Sequence, residues 1–191
     1  MRNPEFILFT GPMFSGKTTR LLAQIDRYKY QKKRTVAFKP IMDDRYSKTN
    51  IKTHIGLTLD DVEVVTVETA KDIYRFLIDS DVDYDVIAVD EAFMIDDVAE
   101  TLIRLFRLGK TIIVSSLEMS ASCKAFDEVA KIMPWATRIE KCPAVCVECQ
   151  ADAFYTQRKV EEGEEIQVGG ADLYEPRCWN CHSYTNERDM W

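Results

Sequence analysis

The apolar positions of this chain fall into short unbroken runs separated by stretches of helical spacing. Phe6-Ile-Leu-Phe9 is four apolar residues in a row, the pattern of a strand buried on both faces. A Gly-containing turn follows. Over residues 17–31, Leu21, Leu22, Ile25 and Tyr28 recur at helical spacing, which predicts a helix with one apolar stripe. Residues 35–39 read as the next strand, ending at Pro40, which has no N–H for a ladder. Residues 42–59 are polar and irregular and read as a loop, 62–67 as a strand and 70–78 as a helix. Asp85-Val-Ile-Ala-Val-Asp90 is a second buried strand, ending in acids. Residues 97–108 predict a helix that stops at Gly109, and Thr111-Ile-Ile-Val-Ser-Ser116 is a third buried strand. Strands alternating with helices, the strands continuously apolar, imply an α/β fold: a mostly parallel sheet with helices on both faces.

Composition changes near Lys141, where cysteines, shorter segments and the acidic stretch Glu161-Glu-Gly-Glu-Glu165 begin. The chain therefore divides into a larger unit, 1–141, and a smaller one, 142–191. At 191 residues, 46% apolar and 30% charged, it has material for one full core and an appendage. No apolar run approaches the roughly 20 residues of a membrane span. The start, Met1-Arg2-Asn3-Pro4-Glu5, lacks the apolar region and cleavage site of an export signal. A soluble protein of the cytoplasm, or of a host's cytoplasm if viral, is the expectation. The net charge of −7 speaks against a duplex-binding face. Residues 142–191 hold ten acids against four bases, a net −6. That opposes nucleic-acid binding by the smaller unit and leaves a phosphorylated small ligand open.

Gly11-Pro-Met-Phe-Ser-Gly16-Lys17-Thr18 fills GxxxxGK[ST] completely and stands between a strand and a helix, as its mechanism requires. Glycines let successive backbone N–H groups turn around a phosphate, and the helix N-terminus adds its positive end. In this pattern Lys17 reaches the β- and γ-phosphates of ATP, and Thr18 offers its hydroxyl to Mg²⁺. The fold is thus expected to be that of the P-loop nucleotide-binding proteins. Asp90-Glu91 closes an apolar strand at the end where open α/β sheets bind ligands. Asp90 there fits a Mg²⁺ acid, and Glu91 a base for an attacking hydroxyl. A helix-capping pair before Asp96 and Asp97 is the alternative reading.

Of the six cysteines, four form two pairs, Cys146-Val-Glu-Cys149 and Cys178-Trp-Asn-Cys181, with 28 residues between them. Two such knuckles fit a closed, structural tetrahedral Zn²⁺ site of the ribbon type, a staple that a small unit needs. Free thiols or redox pairs are the alternative. Cys142 and His182 lie close enough in sequence to be substitute ligands, though each reads better as a bystander. Cys123 reads as a small core residue.

Together these parts resemble the cellular-type (type II) thymidine kinases. The likeness is carried by the phosphate loop with its Pro-Met-Phe-Ser filling, by Asp44-Arg45-Tyr46-Ser47 and Thr53-His54, and by Val89-Asp90-Glu91. It continues through Gly109-Lys-Thr-Ile-Ile-Val114, Lys141 to Cys149, Tyr155-Thr156, Val168-Gly-Gly-Ala-Asp172 with Tyr174, and Arg177-Cys178. The resemblance implies Mg²⁺-dependent transfer of the γ-phosphoryl group of ATP to the 5′-hydroxyl of thymidine. It makes Glu91 the general base, Asp90 the Mg²⁺ acid and Arg45 an arginine near the phosphates. It sets Met13 beside the base, with Leu117 and Phe126 as further nucleoside contacts. Val168, Gly169, Gly170 and Tyr174 then belong to a lasso over the nucleoside, with zinc tying its two ends. A homotetramer inhibited by the triphosphate end product is also implied.

The sequence departs from the family after Asp90-Glu91 and again at 117–126. Ala92, Phe93, Met94 and Ile95 replace a small residue followed by Gln-Phe-Phe. Leu117-Glu-Met-Ser-Ala-Ser-Cys-Lys-Ala-Phe126 replaces Leu-Asp-Gly-Thr-Phe-Gln-Arg-x-Pro-Phe. Met94 and Ala121 stand where the family has rings around the base, and Phe93 where it has a polar side chain. A different or 5-modified pyrimidine deoxynucleoside, or a nucleotide-binding relative without catalysis, are the alternatives these changes leave.

Overall fold

A computed structural model describes residues 3–42, 51, 62–160 and 168–183. Its frame is one six-stranded, all-parallel sheet made of β1 (Phe6–Thr10), β2 (Thr35–Pro40), β3 (Glu63–Val67), β4 (Val86–Val89), β5 (Thr111–Ser115) and β6 (Arg138–Lys141). The strand order is β3-β2-β4-β5-β1-β6. The helices are α1 (Lys17–Tyr30), α2 (Ala70–Asp79), α3 (Val98–Arg107) and α4 (Asp127–Ile132).

Alternation along each strand explains both covered faces. Phe6, Leu8, Val36, Phe38, Ile87, Val89, Ile112 and Val114 turn one way, into a core shared with Ile73 of α2, Leu102 of α3 and Val129 of α4. Ile7, Phe9, Ala37, Ala88 and Ile113 turn the other way, onto Leu21, Leu22, Ile25 and Tyr28 of α1. Continuous apolar runs are what two covered faces demand. The mostly parallel α/β fold is therefore present, and its strand and helix positions lie within a residue or two of the sequence reading.

Two elements carry no such signal. β6, Arg-Ile-Glu-Lys, is largely exposed and pairs only with β1 at the sheet's edge, where charge rather than apolarity protects a strand. α4 has only six residues, too few for a periodic stripe to stand out.

Beyond β6 come two antiparallel pairs. β7 (Ala144–Val145) pairs with β8 (Asp152–Ala153), and β9 (Tyr155–Arg158) with β10 (Tyr174–Arg177). Their small core is Ala144, Cys146, Ala153 and Cys178, with Cys181 packed against it.

Candidate active site

The carboxyl ends of β1, β4 and β5 lie side by side, with β5 in the middle. After β1 the chain turns through Gly11 (φ 132°), Phe14 (φ 66°) and Gly16 (φ 74°) before α1 begins. Gly11 admits no side chain: an added Cβ would lie 2.2 Å from the carbonyl oxygen of Cys142. Its N–H donates to Glu118 Oε2 at 2.6 Å. Ser15 Oγ and Lys17 Nζ both donate to the Pro12 carbonyl, at 2.8 and 2.6 Å, so the loop is held closed by its own side chains. Phe14 stands partly exposed on the loop's outer side. Met13 N–H donates outward to Thr156 Oγ1 of β9, at 3.1 Å.

Lys17 is buried beside three carboxylates. Burial pulls its pKa down, and the nearby charges of Glu91, Glu118 and Asp90 push back toward the ammonium form. Asp90, 4% exposed, faces Thr18 Oγ1 at 3.2 and 3.3 Å from its two oxygens. Ser115, at the end of β5, also donates to Asp90, as does the N–H of Glu91 at 3.2 Å. Asp90 bonds the phosphate loop's helix and the neighbouring strand, and Glu91 stands in the left-handed region (φ 50°, ψ 44°) before a 3₁₀ turn over Ala92–Met94. Such backbone costs a non-glycine residue about 1–3 kcal/mol and gathers at functional sites.

The segment after β5 crosses to the phosphate loop. Leu117 is half-buried there, and Glu118 is ion-paired with Lys141 at 3.0 Å while it holds Gly11. Residues 119–125 close into a tight turn, with Ser120 N–H bonded to the Lys124 carbonyl. Cys123 sits half-buried in that turn at φ 59°, not in a core; a tight turn is where a small residue tolerates such backbone. Phe126 stacks against Phe93, ring centroids 4.7 Å apart, so two of the departing segments pack on each other.

Val168, Gly169 and Gly170 lead into β10. The Gly170 carbonyl accepts from Leu173 and Tyr174 N–H, and Tyr174 is joined to Arg158 across the β9–β10 ladder. The same ladder carries Thr156, and through it Met13. Arg45 lies outside the described residues, as do Asp44, Tyr46, Ser47, Thr53 and His54.

The four paired cysteines converge. Their sulfurs lie within 4.8 Å of one another, and Cys149 and Cys178 Sγ are 3.4 Å apart. Zn–S bonds of 2.3 Å set tetrahedral edges of about 3.8 Å, so these four could hold a zinc ion. Burial opposes ionisation of Cys146, but backbone N–H groups of Cys149, Cys178 and Glu148 outweigh it and bring the thiol down to about 6. Hydrogen bonds that the Cys181 thiol donates to Cys178 and Cys149 push it up to about 12. Crowded sulfurs that cannot all ionise together are the situation a divalent cation resolves. Cys142 is instead part of the core under α1, and His182 bonds the Thr156 carbonyl, so neither joins the cluster.

Sequence reasoning gave no role to Ser115 or Glu118, and named Thr156 only within the Tyr155-Thr156 part of the family resemblance. Ser115 had the same signal as Asp90, a polar residue closing an apolar strand. Glu118 and Thr156 act on partners 107 and 143 residues away, and no local pattern points to those partners. Among the described residues no helix is long and apolar enough to cross a membrane. The thymidine kinase family pattern matches residues 5–182, nearly the whole length, and the chain belongs to that family.

Proposed function

We propose that this chain is an ATP-dependent deoxynucleoside kinase that phosphorylates thymidine at its 5′-hydroxyl, supplying a DNA precursor in the cytoplasm. The new bond joins the 5′-oxygen to the γ-phosphorus, and the bond from that phosphorus to the β,γ-bridging oxygen breaks to release ADP. The hydroxyl proton passes to the Glu91 carboxylate. Residues 11–18 cradle the phosphates, with Lys17 and Arg45 supplying positive charge. Thr18 and Asp90 would hold Mg²⁺, which when bound neutralises charge on the β- and γ-oxygens. Met13, Leu117, Phe126 and Tyr174 surround the nucleoside, with Val168, Gly169 and Gly170 as backbone contacts. Zn²⁺ on Cys146, Cys149, Cys178 and Cys181 is structural.

The observation that carries this reading is the contact of Thr18 Oγ1 with Asp90 at 3.2 Å. It joins the phosphate loop's helix to the acidic strand end, with Glu91 one residue further on. Family membership makes a nucleoside the expected acceptor. The test is a panel of deoxynucleosides, including 5-substituted deoxyuridines, assayed for ATP-dependent phosphorylation with the Glu91→Gln variant alongside. Thymidine should be consumed, and Glu91→Gln should abolish turnover while the fold is kept. Turnover of a 5-substituted deoxyuridine in preference to thymidine would move the substrate; failure of every pyrimidine would overturn the reading.

A further inference from the structure

His182 follows the last cysteine of the second knuckle and is fully buried, 0% exposed. Its place is set by that knuckle, because its N–H donates to the Cys178 carbonyl at 3.0 Å. Its ring lies against Tyr155, centroids 5.7 Å apart. Nε2 donates to the Thr156 carbonyl at 3.0 Å. That carbonyl faces away from β10: Lys159 N–H donates to the Leu173 carbonyl, so by alternation Thr156 and Pro176 are a non-hydrogen-bonded pair of the ladder, and the imidazole supplies the donor from the other side. The backbone of Ala121, in the 119–125 turn, acts on the same ring. Thr156, 4% exposed, then accepts the Met13 N–H on its own Oγ1 at 3.1 Å.

We infer that His182 is a positioning residue that carries the order of the second cysteine knuckle to the acceptor side of the active site. The route is two hydrogen bonds long, from the imidazole to Thr156 and from Thr156 to Met13 of the phosphate loop. A buried histidine is often no more than a satisfied core residue. This one differs in standing between a cluster able to hold metal and a phosphate-loop amide. Losing the imidazole would leave a buried carbonyl unpaired and free Thr156 to shift. The Met13 bond would then open more often, while α1, anchored on the sheet, would not change. That the loosened side faces the nucleoside rests on the kinase reading above. The link to Met13 does not.

Hydrogen exchange of the Met13 amide in the zinc-loaded, full-length protein reads the link directly. With zinc still at one per chain, His182→Phe should speed that exchange about fivefold, the scale of one lost hydrogen bond, and leave the Leu21 and Ile25 amides unchanged. Thr156→Val, which removes the acceptor, sets the upper limit. His182→Gln puts an amide N–H where Nε2 stood and should keep Met13 slow; His182→Asn, one methylene shorter, should not. If His182→Phe fails to fold, the Gln and Asn pair decides. Unchanged Met13 exchange in His182→Phe, or equal exchange in Gln and Asn, overturns the inference. In turnover, His182→Phe should raise KM for the nucleoside about tenfold and leave KM for ATP within about twofold, whereas general loosening moves both. A wild-type protein that phosphorylates no nucleoside would sink the kinase reading and leave the exchange result to judge His182.

Discussion

The six-stranded sheet and the cysteine unit are stabilised by different physics. The sheet buries Phe6, Leu8, Phe38, Ile87, Ile112 and Val114 on one face and Ile7, Phe9, Leu21 and Ile25 on the other, all at 2% exposure or less. Among the described residues the cysteine unit has a small cluster of Ala144, Cys146, Ala153 and Cys178 at its centre, and Val145, Val147 and Trp179 are exposed. At about 25 cal/mol per Å² of apolar surface, the first core supports itself and the second does not. Where apolar area is scarce, metal coordination can replace it. Among the described residues the two regions touch where Met13 meets Thr156 and where the Lys141 ammonium stands over the Phe154 ring. A contrast in cohesion therefore lies directly across the proposed active site.

The sharpest way to break that contrast is to withdraw metal. Chelation of zinc-loaded protein, or Cys146→Ser, should unfold residues 144–183 as a block and leave β1, β4 and α1 protected from hydrogen exchange. Zinc-finger sites are worth about 10–16 kcal/mol near neutral pH, far more than so small an apolar core can replace. Uniform loss of protection across both regions would show that the sheet leans on the cysteine unit. Acid should have the same effect as chelation. The ligands must be thiolates, so affinity falls as the pH falls.

Next in size is Glu91→Gln, which belongs wholly to the sheet region, at the carboxyl end of the central strand β4. Turnover should fall about 10²–10⁴-fold, the usual worth of a general base, while the melting temperature holds. Full activity in this variant would remove Glu91 from the chemistry. Glu91→Gly should be equally inactive yet slightly more stable, because glycine accepts φ 50° without strain.

What could be read in advance follows the same division. β1, β4 and β5 were legible because burial on both faces writes an unbroken apolar run. The phosphate loop and the cysteine pairs were legible because backbone geometry and metal coordination each fix a local spacing. β6 was not, because an edge strand needs no apolar residues, and neither was α4, which is less than two full turns long. Ser115 on Asp90, Glu118 on Gly11 and Thr156 on Met13 are pairings between distant segments, separated by 25, 107 and 143 residues. The sheet order brings them together, and no local pattern encodes it. Cys123 shows the limit of reading a residue type alone: a cysteine suited to a core stands in a turn.

A smaller effect tests the seam between the regions. Gly11→Ala adds a methyl group at φ 132° where the Cys142 carbonyl already stands. Either the phosphate loop or the chain leaving β6 must move, so stability should fall by about 2–4 kcal/mol on the scale of other strained or overpacked sites. Denaturant midpoints measure the loss. A change below about 0.5 kcal/mol would mean that the two segments part easily, and that the seam is looser than its 2.2 Å clearance implies.

The smallest effect lies far from the seam, at the start of α2. Asp72 accepts the N–H groups of Thr69 and Glu68, each at 3.0 Å, the reciprocal half of a capping box. Those two backbone donors hold its pKa below the usual carboxylate value. A carboxylate with a depressed folded pKa stabilises the protein at pH above its unfolded value, near 3.9. The contribution fades as pH falls through the lower, folded value. Asp72→Ala should therefore cost about 1 kcal/mol at pH 7, and the gap to wild type should close below about pH 4. Paired denaturation curves at pH 7 and pH 3 make the comparison with any general acid effect cancelled. A gap that persists at pH 3 would assign the loss to helix packing instead of the cap. A gap confined to α2 amides at neutral pH would show that the sheet unit, for all its shared core, opens one helix at a time.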